Sequence, residues 1–115
     1  MCKNPFYLYV EISRKRLKYL QRYREVAEEV KKFLREEIGD LKLFVFGSVV
    51  RGDYRPFSDI DILVVKDDVG REEMLKAIAE VRRRIGFDVP IEIHYATTNE
   101  FRNWYMRFID VYEEI

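Results

Sequence analysis

The stretch Phe44-Val45-Phe46-Gly47-Ser48-Val49-Val50-Arg51-Gly52-Asp53-Tyr54-Arg55-Pro56-Phe57-Ser58-Asp59-Ile60-Asp61-Ile62-Leu63-Val64-Val65 decides how the chain folds. An apolar run stops at a Gly-Ser pair. Ten residues follow, and a second apolar run opens with aspartates at 59 and 61. Successive side chains of a strand point to opposite faces, so Asp59 and Asp61 share one. The pattern predicts strand, turn and strand, with two carboxylates beside the turn. Such an arrangement suits a metal ion and a phosphate.

The turn and the acid pair carry different weight. Gly47 lets the backbone approach a ligand without a Cβ, and Ser48 adds a hydroxyl at a predicted helix start, where N–H groups favour phosphate oxygens. Most Gly-Ser pairs are ordinary turns, so the pair alone says little. Two aspartates heading an apolar strand are costly if buried unpaired. They are either Mg²⁺ ligands or a strand-end cap (Asp59) and the partner of an arginine (Asp61). Arg51 either reaches a phosphate or pairs with Asp53. Tyr54, Arg55 and Phe57 are at most weak candidates to touch a base.

Beyond the second strand, 71–85 is a predicted amphipathic helix with Met74, Leu75, Ile78, Val81 and Ile85 inward, closed by Gly86. Residues 87–95 read as a third strand, with Glu92 and His94 on one face. Pro90 cannot donate to a ladder, which puts that strand at an edge or makes it begin there. Glu92 is the one acid within this apolar strand, and Asp88, at its start, is the competitor. His94 either touches a substrate or is a satisfied structural histidine, the commoner fate. Thr97-Thr98-Asn99-Glu100 is a capping box opening a last helix to about Tyr112. Its apolar face, with Phe101, Trp104, Tyr105, Phe108, Ile109 and Tyr112, is wide.

Upstream, Ser13 is a candidate N-cap for one long helix over 14–38, closed by Gly39. Tyr7 to Ile12 read as a short strand or an arm. Arg14, Lys15, Arg16, Lys18, Arg22 and Arg24 crowd the first half of that helix, and Glu25, Glu28, Glu29, Glu36 and Glu37 the second. Each sign then opposes the macrodipole. A solvated face is the simpler reading of the basic run; a docking surface for an acidic partner or nucleic acid is the sharper one. The element order is (β)αβ–turn–βαβα, without repeats or an internal linker.

Composition bounds the rest. The 115 residues suffice for one domain, 48% hydrophobic and 15% aromatic, which argues against disorder. The net charge is zero, so no overall field draws nucleic acid or an anionic membrane. Charged residues make up 37% of the chain and amides are few, a pattern that suits a heat-adapted protein. One cysteine, Cys2, allows no internal disulfide and points to a reducing, cytoplasmic compartment. The apolar patch 5–10 is too short for a membrane span and has no small-residue cleavage site.

Gly47-Ser48, ten residues and then Asp59-x-Asp61 resembles the signature of the DNA polymerase β-like nucleotidyltransferase superfamily. The fuller run, 46–53 with 58–61, resembles its minimal nucleotidyltransferase (MNT) branch. The resemblance covers about 41–101, and the first helix more loosely. It implies an α+β (mixed α/β) fold: a small mixed sheet flanked by helices, a catalytic core over 41–112, and an arm and long helix over 1–38. It also implies transfer of a nucleoside monophosphate from a triphosphate, with ATP the expected donor. Gly47, Ser48 and Arg51 would hold the nucleotide, and Asp59 and Asp61 would bind two Mg²⁺. A third acid from a later strand, Glu92 here, would ligate a metal and help deprotonate the acceptor. Larger relatives carry acceptor-binding domains for which this chain has no room, so a partner is expected to deliver the acceptor. Chains of this type often pair with a HEPN toxin, modify its tyrosine with AMP and act as its antitoxin. A nucleotide-binding module without turnover, and a small-molecule nucleotidyltransferase completed by homo-oligomerisation, are the alternatives.

Overall fold

The computed structural model describes residues 4–115, the side chain of Phe108 excepted, so Cys2 lies outside it. Two helices open the chain, α1 (Pro5–Gln21) and α2 (Tyr23–Ile38). Then follow β1 (Lys42–Phe46), the short α3 (Ser48–Arg51), β2 (Ile60–Val65), α4 (Arg71–Ile85) and β3 (Ile91–Ala96). A helical segment comes next: α5 (Thr98–Glu100), a π-helical turn (Phe101–Tyr105) and α6 (Met106–Phe108). The chain ends in β4 (Tyr112–Glu114). The four strands form one mixed sheet in the order β3-β2-β1-β4. β1 runs antiparallel to β2 and β4, while β2 and β3 are parallel, joined by α4. The fold is thus the expected α+β sheet flanked by helices.

The helical start differs from its expectation. Asn4, not Ser13, is the N-cap: its side chain accepts from the Tyr7 N–H at 2.8 Å, with Pro5 at the first helical position. Tyr7 to Ile12 are therefore helical, and Ser13 is buried inside α1. Nor is there one helix over 14–38. The backbone breaks at Arg22 (φ −108°, ψ 32°), without a glycine or proline. Just past the break, Glu113 of β4 accepts from the Tyr23 hydroxyl and, at 2.9 Å, from Arg24 Nε. The break eases part of the odd charge order, although Arg24 and the Glu36–Glu37 pair still lie at the unfavourable ends of α2. Lys18 falls in the last turn of α1 and Glu25 in the first turn of α2, each at the end of its own helix that suits its sign.

The sheet has two different faces. Leu43, Val45, Ile60, Ile62, Val64 and Ile91 point to one, packed beneath α2 and α4. There Val26, Ala27, Val30 and Leu34 of α2 meet Met74, Ala77 and Val81 of α4. Leu75, expected inward, is exposed, and Ala77 takes the buried position. The other face carries Phe44, Leu63, Val65 and Ala96, against which Phe101, Tyr105 and Ile109 of the C-terminal segment pack. This second face is left open toward the β1–α3 turn.

The C-terminus corrects a further expectation. The Thr97 capping box forms, with Thr97 and Glu100 exchanging side chain-to-backbone bonds. The helix does not reach Tyr112. It widens into the π-helical turn, ends at Phe108, and the chain pairs as β4 with the free edge of β1 (Phe44↔Glu114, Phe46↔Tyr112). The ring of Phe44 stacks on Phe101 with centroids 4.6 Å apart and meets Tyr112 edge-on at 5.7 Å. An unpaired β1 edge would leave backbone groups unsatisfied, which the second strand partner relieves. Among the described residues, no helix is long and apolar enough to cross a membrane.

Candidate active site

Strand register assembles the site. Asp61 of β2 lies opposite Glu92 in the parallel pair with β3, and opposite Phe46 in the antiparallel pair with β1. His94 follows two residues after Glu92, on the same face. Asp61, Glu92 and His94 each offer a ligand atom, and these atoms lie within 4.8 Å of one another. His94 Nε2 is 3.5 Å from Glu92 Oε1, and its ring sits 5.8 Å from that of Phe46. β3 is an edge strand, as expected from Pro90, but it begins at Ile91, so residues 87–90 are not part of it; the Pro90 carbonyl accepts from the Ile60 N–H at 2.7 Å.

Gly47 closes the site from the side of β1. Its φ is 82°, and a Cβ added there would collide with the Asp61 carboxylate. Glycine is thus required twice, for a left-handed backbone and for the close approach. Val50 and Arg51 N–H both return to the Gly47 carbonyl at 3.1 Å, fixing Ser48 at the start of α3. With four residues, α3 has little dipole to offer. What the turn offers a ligand is its glycine, its backbone and the Ser48 hydroxyl.

Burial is the first cause that pushes the Asp61 carboxyl up to about 6, followed by the negative charge of Glu92; His94 opposes them, and Asp59 adds to the rise. A divalent cation would relieve this crowding of like charge. Two carboxylates and an imidazole within reach of one point, beside a backbone that leaves room for phosphate, fit such an ion.

Asp59 is placed differently. It precedes β2, and its Oδ1 is 3.1 Å from Nη2 of Arg16 in α1. The same guanidinium donates to the carbonyls of Pro56 and Ser58, both at 2.8 Å. It also lies over the Phe57 ring, 5.3 Å from its centroid. Arg16 thereby fastens the residues between α3 and β2 to the first helix. It was hidden in the basic run of α1, where no local signal separates it from its solvated neighbours. Arg51 pairs with Asp53 at 3.3 Å and reaches Asp110 at 3.8 Å. Asp88, the competitor of Glu92, forms an ion pair with Lys15 at 2.6 Å and takes no part in the cluster.

Residues 27–115 match the family described as the nucleotidyltransferase domain. No curated protein matches the chain significantly. Among solved structures, a crystal structure provisionally described as a nucleotidyltransferase is 33% identical. That match covers 76% of this chain and 95% of the other, with a TM-score of 0.62. A second, provisionally described likewise and from Sulfolobus solfataricus, is 21% identical over 91% of this chain and 83% of its own, with a TM-score of 0.56; it speaks for the fold alone. A toxin–antitoxin structure with AMP-PNP is 24% identical over 60% of this chain and 56% of its own, and its TM-score of 0.46 is too low to bear on function.

Proposed function

We propose that this chain, which belongs to the nucleotidyltransferase domain family, moves a nucleoside monophosphate, AMP from ATP, onto a hydroxyl acceptor. The observation that carries the reading is the convergence of Asp61, Glu92 and the Gly47–Ser48 turn at one end of the sheet. Divalent metal, two Mg²⁺ ions in this reading, would supply charge neutralisation of the triphosphate and of the leaving pyrophosphate. The chain's own residues do the rest. Gly47 admits a phosphate against the backbone, and Ser48 offers its hydroxyl beside it. Asp61 and Glu92 are the cation's carboxylates, and Asp59 joins them on parting from Arg16. Glu92, exposed at 56% of its side chain, faces an incoming acceptor and helps take its proton. Arg51 exchanges its exposed ion pairs for a phosphate oxygen.

The acceptor in this reading is a tyrosine of a HEPN toxin, and the chain is its antitoxin. Two things support a protein acceptor: the MNT-like run 46–61, and the apolar surface beside Asp59. Phe57 is 52% exposed and its ring lies 5.4 Å from that of Tyr9, while Phe6 and Ile12 of α1 are exposed as well. Contiguous exposed apolar groups of this kind mark protein contacts. The test uses α-labelled ATP, Mg²⁺ and a HEPN protein encoded beside this chain. Label should appear on a tyrosine with the wild type and vanish with Asp61→Asn. A wild type that labels nothing while binding its partner excludes turnover.

The ion pair that occupies Asp59 favours a second reading, a nucleotide-binding module that silences its partner by covering it. ATP binding and partner binding without labelling would establish it.

A further inference from the structure

We propose that His94 is a nitrogen ligand of the cation held by Asp61 and Glu92, and that it shifts the site's preference from Mg²⁺ toward a transition-metal ion such as Mn²⁺. The inference rests on the reading of this face as a divalent-cation site. It goes further by naming a ligand outside the two carboxylates and the class of ion that the ligand favours.

Three observations converge. First, the parallel β2–β3 register sets Asp61 against Glu92 and Leu63 against His94, so the imidazole is the next group along the face that bears both acids. Second, the three donor atoms already lie within 4.8 Å of one another. The 3.5 Å from Nε2 to Glu92 Oε1 is long for a hydrogen bond of normal strength, and close to the spacing of two ligands on one ion. Third, Phe46 lies beside the imidazole at 5.8 Å and limits where the ring can turn. His94 presents Nε2 to Glu92.

The donor set decides the ion. Carboxylate and water oxygens suit Mg²⁺, which binds nitrogen poorly, whereas imidazole raises affinity for first-row transition ions. Asp59, on Arg16, lies outside the three-atom cluster. The donors already gathered are thus two oxygens and one nitrogen.

His94 is the chain's only histidine, which makes the test direct. Untagged protein is loaded with Mn²⁺ alone and examined by pulsed electron paramagnetic resonance for ¹⁴N coupling from a bound imidazole. The wild type should show that coupling and His94→Ala should lose it. In parallel, the Mg²⁺ concentration that displaces half of the bound Mn²⁺ is measured. It should fall at least about tenfold in His94→Asp, whose all-oxygen set favours Mg²⁺. Mn²⁺ bound to wild type without imidazole coupling, or an unchanged displacement ratio in His94→Asp, overturns the role of His94 and leaves the carboxylate site standing. A wild type that binds no Mn²⁺ overturns both. His94 is partly exposed on an edge strand, so His94→Ala should melt close to wild type in the absence of metal, whereas His94→Asp, which sets a third carboxylate beside Asp61 and Glu92, should melt lower at neutral pH.

Discussion

Arg16 and Asp59 are 43 positions apart and meet at 3.1 Å, in a contact that ties the first helix to the mouth of the acid cluster. One guanidinium serves two backbone carbonyls and one carboxylate. Arg16→Ala leaves all three without their charged donor and should cost about 2 kcal/mol in urea unfolding. Arg16→Lys should recover only part of that, because a lysine lacks the fork. The same loss frees Asp59, so Mn²⁺ affinity of Arg16→Ala should hold or rise as stability falls. A drop in affinity would mean that Arg16 supports the site and does not compete for it.

Gly47 and Gly52 make a matched pair. Both are left-handed, at φ 82° and 86°, but a Cβ at Gly52 meets open space while one at Gly47 meets the Asp61 carboxylate. Gly52→Ala should cost about 1 kcal/mol of strain and leave triphosphate binding near wild type. Gly47→Ala should cost more and abolish binding, read by calorimetry with a non-hydrolysable ATP analogue. Equal losses in the two variants would reduce Gly47 to a turn residue.

Local chemistry made the centre of this fold legible and long-range contacts made its ends illegible. The strand–turn–strand around Gly47, the helix over Arg71–Ile85 and the capping box at Thr97 all rest on patterns a few residues long. Glu92 and His94 share a face because strand periodicity is fixed, while the β2–β3 register is what sets Asp61 against Glu92. Arg22 and Tyr112 could not be read this way. The helix break is held by Glu113, and β4 forms because β1 has a free edge, so neither is visible nearby in the sequence. The charge order of α1 and α2 did carry a trace of the break, since two helices suit Lys18 and Glu25 better than one does. Arg16 left no trace, because its partners lie beyond the turn.

The raised Asp61 carboxyl makes stability depend on pH in a set direction. Its pKa is about 6 in the fold against 3.8 in the unfolded chain. Between those values Asp61 binds more protons in the fold than in the unfolded chain, so its own contribution to the stability of the metal-free protein, read as the difference from Asp61→Asn, should fall as pH rises from about 4 to about 6. Asp61→Asn removes the burdened charge. At pH 7.5 without divalent ions it should melt a few degrees above wild type, about 1 kcal/mol after allowing for solvent screening. At pH 4 the advantage should vanish. Mn²⁺ should reverse the order at pH 7.5 by stabilising only the wild type. Identical melting curves at both pH values would show that the carboxyl is not burdened in the fold.

Glu92 separates binding from chemistry. It stands opposite Asp61 but is the more solvent-facing of the two, on the edge strand where an acceptor can approach. Glu92→Gln keeps the size of the side chain and an oxygen donor while removing its charge and its ability to take a proton. Triphosphate affinity should therefore fall only a few-fold, because Asp61 and the Gly47–Ser48 turn are untouched. The rate of monophosphate transfer should fall by about a hundredfold or more, the usual scale for a lost general base. Single-turnover transfer and analogue binding, measured on the same preparation, give the two numbers. Proportional losses in both would make Glu92 a cation ligand only, and the acceptor's proton would then leave by way of solvent or another group.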